Sequence, residues 1–175
     1  MSRALGIDPG SRATGFGVVD LTGNRLVHVA CGAIHTPSRA SAPERLAIIY
    51  RGLLDVIERH RPEEVGVESI FQARNARSAL VLGQARGVAL LSVELARLPI
   101  VEYTPMQVKL AVVGYGRAEK GQVQEMVRRL LALPEAAGPD ASDALAVAIC
   151  HLQTSRTARA VRERGAALVR PPGPR

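Results

Sequence analysis

Four carboxylates in this chain have the types and settings to do chemistry: Asp8 in Gly6-Ile7-Asp8-Pro9-Gly10, Glu68 in Val65-Gly66-Val67-Glu68, and Asp140 and Asp143 in Pro139-Asp140-Ala141-Ser142-Asp143. Three of them end or open segments that read as buried structure. An unpaired negative charge is costly there unless a cation or strong hydrogen bonds compensate it. Oxygen-only ligands suit Mg2+ and Mn2+, and phosphodiester hydrolysis benefits from two ions about 3.5 to 4 Å apart that stabilise the attacking and leaving oxygens. In a chain with net charge +7, such a cluster points to a divalent-metal site facing a polyanion. Taken singly, each acid has an ordinary explanation. Asp-Pro-Gly is a common turn, and acids in a first helical turn are favoured by capping and by the helix dipole. It is the set of four that favours catalysis. No serine, cysteine or histidine series is spaced for nucleophilic chemistry, and His28, His35, His60 and His151 are scattered and read as structural or exposed.

The elements that must position these acids follow from periodicity. Residues 3 to 8 form an apolar run ending at Asp8. Phe16 to Leu21 and Leu26 to Ile34 read as strands joined at Thr22-Gly23-Asn24, a hairpin signal. Leu46, Ile49, Leu53 and Ile57 recur at helical spacing, and Pro62 closes that helix. Val65 to Glu68 is a short strand, followed by a long helix from about Ala76 to Leu98 that Pro99 ends. Ile100 to Tyr103 is the last strand, with short helices near Pro105 to Val112 and Glu119 to Leu131. Asp140 opens a final helix expected to reach about Ser155. Three antiparallel strands followed by alternating helix and strand give an α/β domain with a mixed five-stranded sheet flanked by helices. Asp8 and Glu68 would then emerge side by side if their strands are neighbours. Asp140 and Asp143, three residues apart, share one helical face. In the long helix, Ala79, Gly83 and Gly87 make a row of small residues that would admit another helix backbone, from this chain or from a second copy.

Composition narrows the class. At 175 residues, 47% hydrophobic and 22% charged, the chain has room for one domain with a full core, expected over residues 1–155, followed by an Arg/Pro-rich flexible tail over 156–175. That tail holds six arginines against Glu163 and so carries +5 of the net charge. No apolar run approaches the roughly 20 residues of a membrane span. Cys31 and Cys150 lack metal-ligand spacing and read as reduced core residues, and a cytoplasmic protein without a membrane partner is expected. Such a basic balance suits nucleic acid, an acidic surface or simple solubility.

Several features then resemble one family. These are Gly6-Ile7-Asp8-Pro9-Gly10-Ser11-Arg12 with Thr14-Gly15, Glu68 with Phe71, Leu82-Gly83-Gln84-Ala85-Arg86-Gly87-Val88-Ala89, Gln107-Val108-Lys109 with Val113-Gly114, Ala118-Glu119-Lys120, and Asp140-Ala141-Ser142-Asp143-Ala144-Leu145-Ala146. In order, over roughly residues 3 to 155, they resemble the bacterial RuvC Holliday-junction resolvases. That resemblance implies a ribonuclease H-like fold and a homodimer. It also implies paired symmetric nicking of four-way junction DNA in strands of like polarity, with two Mg2+ or Mn2+ ions per site and 5′-phosphate and 3′-hydroxyl ends. It further implies coupling to the RuvA and RuvB branch-migration proteins. It makes Asp8, Glu68 and Asp140 metal-binding catalytic acids, with Asp143 completing the set. Some relatives carry histidine at the position of Asp140, so the all-carboxylate version applies here.

Phe71, three residues after Glu68, is either a core residue or an exposed aromatic that stacks on or wedges between bases, as its counterpart in the family does. The polar stretch after it includes Arg74, Asn75 and Arg77. Lys109 and Lys120, the only lysines, are candidate phosphate contacts, with Arg74, Arg77, Arg117 and Arg128 extending the basic surface. Such contacts set position and salt dependence rather than sequence choice. Rival readings are an actin-like or sugar-kinase ATPase, for which the chain lacks a second lobe, and a nuclease of the same fold acting on ribosomal RNA precursors. A metal-free junction-binding module is a third, disfavoured because four acids would repel phosphate unless a cation intervened.

Overall fold

The computed structural model describes residues 1–69 and 75–168, with side chains through Ala158. Its sheet has five strands in the order β3-β2-β1-β4-β5. β1 (Ser2–Asp8), β2 (Ala13–Thr22) and β3 (Arg25–His35) form the antiparallel half, and β4 (Glu64–Glu68) and β5 (Ile100–Tyr103) add in parallel to β1. Gly23, at φ +61°, opens the two-residue β2–β3 turn, where a positive φ matches the twist of the paired strands. The ribonuclease H-like architecture expected from the sequence is therefore present, with β1 at the centre.

Period-two alternation divides the core between the two faces of the sheet. Leu5, Ile7, Val18, Val65 and Val67 pack under α1 (Ala42–His60) and α2 (Ala76–Leu95), against Ile49, Leu53, Ala85, Ala89 and Val93. Ala4 and Val19 face the other way, toward α3 (Pro105–Val113), α4 (Lys120–Leu130) and α5 (Pro139–Leu168). The helix starts are locally encoded. Ser41 N–H donates to Glu44 at 2.7 Å, Thr104 N–H to Gln107 at 2.8 Å and Glu119 N–H to Gln122 at 2.9 Å, each the return bond of a capping box.

α5 lies directly on the antiparallel half because glycines leave it space. A Cβ on Gly15 would stand 2.1 Å from the Asp140 carbonyl oxygen, and one on Gly6 would stand 2.1 Å from that of Ala144. Helix backbone thus meets strand backbone, and the first turn of α5 is pinned over the end of β1.

Three expectations change. The last helix runs to Leu168 rather than ending near Ser155, since no glycine or proline interrupts the arginine-rich stretch before Gly165. Among the described residues, no helix packs against the small-residue row Ala79, Gly83 and Gly87. Gly83 and Gly87 have nothing within 4 Å of a built Cβ, and the buried small face is Ala85, Ala89 and Ser92. α2 is also apolar enough, by length and composition alone, to match a membrane span, although Arg86 within it pairs with Glu102.

Candidate active site

Asp8 and Glu68 end β1 and β4, which run parallel with Ile7 opposite Val67, so the two carboxyls leave the same edge of the sheet side by side. A hydrogen bond joins them. Burial raises the pKa of Asp8, and the charge and hydrogen bond of Glu68 add to it, with Asp143 and Asp140 contributing further; together they push Asp8 up to about 8. Burial also raises Glu68, opposed by the bond from Asp8 and by the positive charges of Lys120 and Lys109. The two titrate as one dyad, which holds a single proton between them.

Asp140 and Asp143 stand on the first turns of α5 above this pair. Asp143 accepts a hydrogen bond from Lys120 Nζ at 2.5 Å, and that bond raises the lysine's pKa, helped by the charges of Asp143, Asp8 and Asp140. Lys120 and Lys109 line a single cleft of about 210 Å³ with Glu68, Pro105, Val108 and Asp143. Both lysines expected at the site are therefore there.

All four acids and both lysines converge from segments as far apart as Asp8 and Asp143. Among the described residues, no three acid, histidine or cysteine side chains already form a closed metal cage. The Lys120 ammonium, paired with Asp143, brings positive charge to the acids. The donor set consists of carboxylate oxygens without nitrogen or sulfur, which fits a hard divalent cation at the same place.

The remaining candidates are less concentrated. Phe71 and Arg74 lie outside the described residues. Asn75 caps α2, its Oδ1 accepting from Ser78 N–H at 2.9 Å. Arg77 is exposed at the start of α2. Arg128 does not extend the basic surface freely, being engaged with Glu125 at 2.8 Å.

A buried polar network also reaches this edge unannounced by any motif. Tyr103 pairs in register with Glu68, and its hydroxyl meets His151 Nδ1 at 2.9 Å. His151 Nε2 lies 3.2 Å from Glu64, which accepts from Ser2 Oγ at 2.7 Å. Burial pushes the Tyr103 pKa up to about 12, with the Cys150 thiol and Glu64 also raising it. His151 is thus a bonded core histidine, and the clue in the sequence was an imidazole within an otherwise apolar helix.

A five-stranded mixed sheet carrying acids on adjacent central strands, with two more on the covering helix, defines the ribonuclease H-like class. A yeast mitochondrial Holliday junction resolvase shares this fold at 12% identity, with a TM-score of 0.69. The chain belongs to the RuvC family: the family model "Crossover junction endodeoxyribonuclease RuvC" matches residues 4–151. Curated RuvC proteins of Citrifermentans bemidjiense and Geobacter sulfurreducens are each 60% identical to it. The first similarity covers 86% of this chain and 92% of the relative, the second 87% and 93%. The structure of Thermus thermophilus RuvC in complex with a Holliday junction substrate is 38% identical, with a TM-score of 0.86 over 90% of this chain and 97% of that one.

Proposed function

We propose that this protein is a structure-selective endonuclease that resolves four-way DNA junctions, and that residues 1–155 form its catalytic unit. The observation that carries the proposal is the placement of Asp8 and Glu68 at the ends of adjacent parallel strands, beside Asp140 and the Asp143–Lys120 pair of α5 and α4. The family supplies the substrate, since the Thermus relative was solved with a Holliday junction.

Asp8, Glu68, Asp140 and Asp143 would hold Mg2+ or Mn2+, two ions per site, whose positive charge would favour the attacking water and the leaving 3′ oxygen. The Asp8–Glu68 pair must give up its proton to solvent before both carboxylates can serve as ligands. Lys120 must release Asp143 for the same purpose, which frees its ammonium for the phosphate. Lys109 lines the same cleft and would fix the strand by charge. In the family manner, water attacks phosphorus, the bond to the 3′ oxygen breaks, and 5′-phosphate and 3′-hydroxyl ends result. Phe71, Arg74 and Asn75, between β4 and α2, and Arg77 in the first turn of α2 would meet the junction beside the cut.

A homodimer would place two such sites for symmetric nicks in strands of like polarity. Leu80, Leu91, Leu95 and Val101 are exposed on α2 and β5, and exposed apolar side chains of this kind favour self-association. Coupling to RuvA and RuvB, and a cytoplasmic location beside the chromosome, follow from the same reading. The test is nicking of a synthetic four-way junction with and without Mg2+ and Mn2+. Asp8→Asn should abolish incision and retain binding, whereas unchanged cleavage would reject the proposal.

A further inference from the structure

A second basic cleft lies on the opposite face of the sheet from the lysines. It has a volume of about 230 Å³ and opens between the loop after β1, the start of α1 and the start of α2, where Ser11, Arg45, Arg77 and Gln84 supply its polar lining. No acid lines it. Ser11 follows Asp8 by three residues, so its backbone stands within about 11 Å of the catalytic acid. The lysine cleft belongs to the face covered by α3, α4 and α5, and this one to the face covered by α1 and α2. The acid-bearing edge of the sheet runs between them.

The cleft is built before any ligand arrives. Arg45 Nε donates to the Ala40 carbonyl at 3.0 Å and Nη2 to that of Ser38 at 2.7 Å. Two of the five guanidinium N–H groups are thereby anchored, which leaves three for an anion. Ser11 is held too, its carbonyl accepting from Thr36 Oγ1 at 3.0 Å. Arg77, exposed at the cleft mouth, makes no ion pair among the described residues. Two guanidiniums facing one hollow without a carboxylate repel each other, and a phosphate between them would turn that repulsion into charge-assisted hydrogen bonds.

We propose that this cleft of Ser11, Arg45, Arg77 and Gln84 is a second phosphate subsite, which holds a backbone phosphate of the cleaved DNA strand after that strand has crossed the sheet edge from the lysine cleft. The assignment rests on the nuclease reading above and adds the direction of the strand: lysines before the acids, arginines after them. The scissile phosphodiester is then gripped from both faces, which fixes its position relative to Asp8 without any base contact.

The experiment measures binding of the full chain to a four-way junction by fluorescence anisotropy in Ca2+ across a salt series, using junctions in which single phosphates near the incision are replaced by neutral methylphosphonates. Arg45 is left intact because its carbonyl bonds shape the loop; Arg77→Gln and Gln84→Glu alter exposed side chains. Each variant should bind the junction several-fold more weakly, and Arg77→Gln should reduce the slope of log K against log salt by about 0.9, the loss of one phosphate contact. One methylphosphonate position that weakens wild-type binding should cost nothing further in Arg77→Gln. Wild-type affinity and slope in both variants, or an undiminished methylphosphonate cost at every position, would overturn the subsite while leaving wild-type cleavage, and so the nuclease reading, intact. A wild-type protein that neither bound nor cut junctions would overturn both.

Discussion

Asp8 and Glu68, 60 residues apart in the chain, share a hydrogen bond where two parallel strands end together. The bond requires a proton, and burial together with the neighbouring Glu68 pushes the Asp8 pKa up to about 8. An unfolded aspartate titrates near pH 4. Because the folded pKa is the higher one, the stability this group contributes is full below about pH 4 and is lost as pH rises toward 8. Without divalent cation, the melting temperature should therefore fall between those limits. Asp8→Asn should flatten the decline and melt at least about 3 °C above wild type at pH 9. Mg2+ should restore stability to wild type at that pH and not to the variant. Scanning calorimetry across the pH range checks this, and parallel curves for the two proteins would refute it.

Lys120 holds Asp143, and the proposed mechanism requires it to let go. Lys120→Met should lower the cleavage rate at least about tenfold. The melting temperature should change little, since a partly exposed ion pair contributes about 1 kcal/mol or less. Asp143 would then be open to the cation, so the Mg2+ concentration for half-maximal activity should fall even as the rate drops. A Mg2+ titration of nicking distinguishes this from a purely structural role, which would leave the half-maximal concentration unchanged.

Gly15 and Gly87 should respond oppositely to the same substitution. Gly15→Ala drives a methyl against the Asp140 carbonyl, at a cost of about 1 to 3 kcal/mol, and displaces the turn that carries two of the acids. Cleavage should suffer more than folding. Gly87→Ala meets nothing within 4 Å, so it should stabilise the monomer by up to about 1 kcal/mol. If a second copy packs on that face, sedimentation should also show a weaker dimer. A Gly15→Ala protein with normal activity would sink the first expectation, and unchanged self-association of Gly87→Ala would remove that surface from the dimer.

Tyr103→Phe deletes one hydrogen bond of the buried network with His151 and Glu64. Unfolding in urea should show a loss of about 1 to 3 kcal/mol, with junction binding retained. A variant as stable as wild type would mean that the tyrosine hydroxyl contributes no net stability.

The strands and most helices were legible because each announces itself locally. Apolar runs end at Asp8 and Glu68, Gly23 makes its turn, and a proline, a capping box or, for α2, the Asn75 cap marks each helix start. The four acids were legible as a set because each sits at an element end, where a carboxylate has no packing reason to be. What was hidden depends on distance in sequence or on helical phase. Tyr103, His151 and Glu64 come from three elements, and no short spacing links them. The buried small face of α2 is Ala85 and Ala89, two positions from the row that periodicity suggested. Arg45 reads as an ordinary residue of an amphipathic helix until the fold sets it opposite Arg77.

The seating of α5 on glycine has a consequence for how this enzyme can change. Where hydrogen replaces a methyl at positions 6 and 15, helix and sheet touch without an intervening layer of adjustable side chains, and the usual route of accommodation through rotamer shifts is closed. Any residue gained there moves the acids as a rigid body. Altered cleavage preference therefore has to arise at the periphery, in the basic clefts and in the segment between β4 and α2, while the spacing of the acids stays fixed.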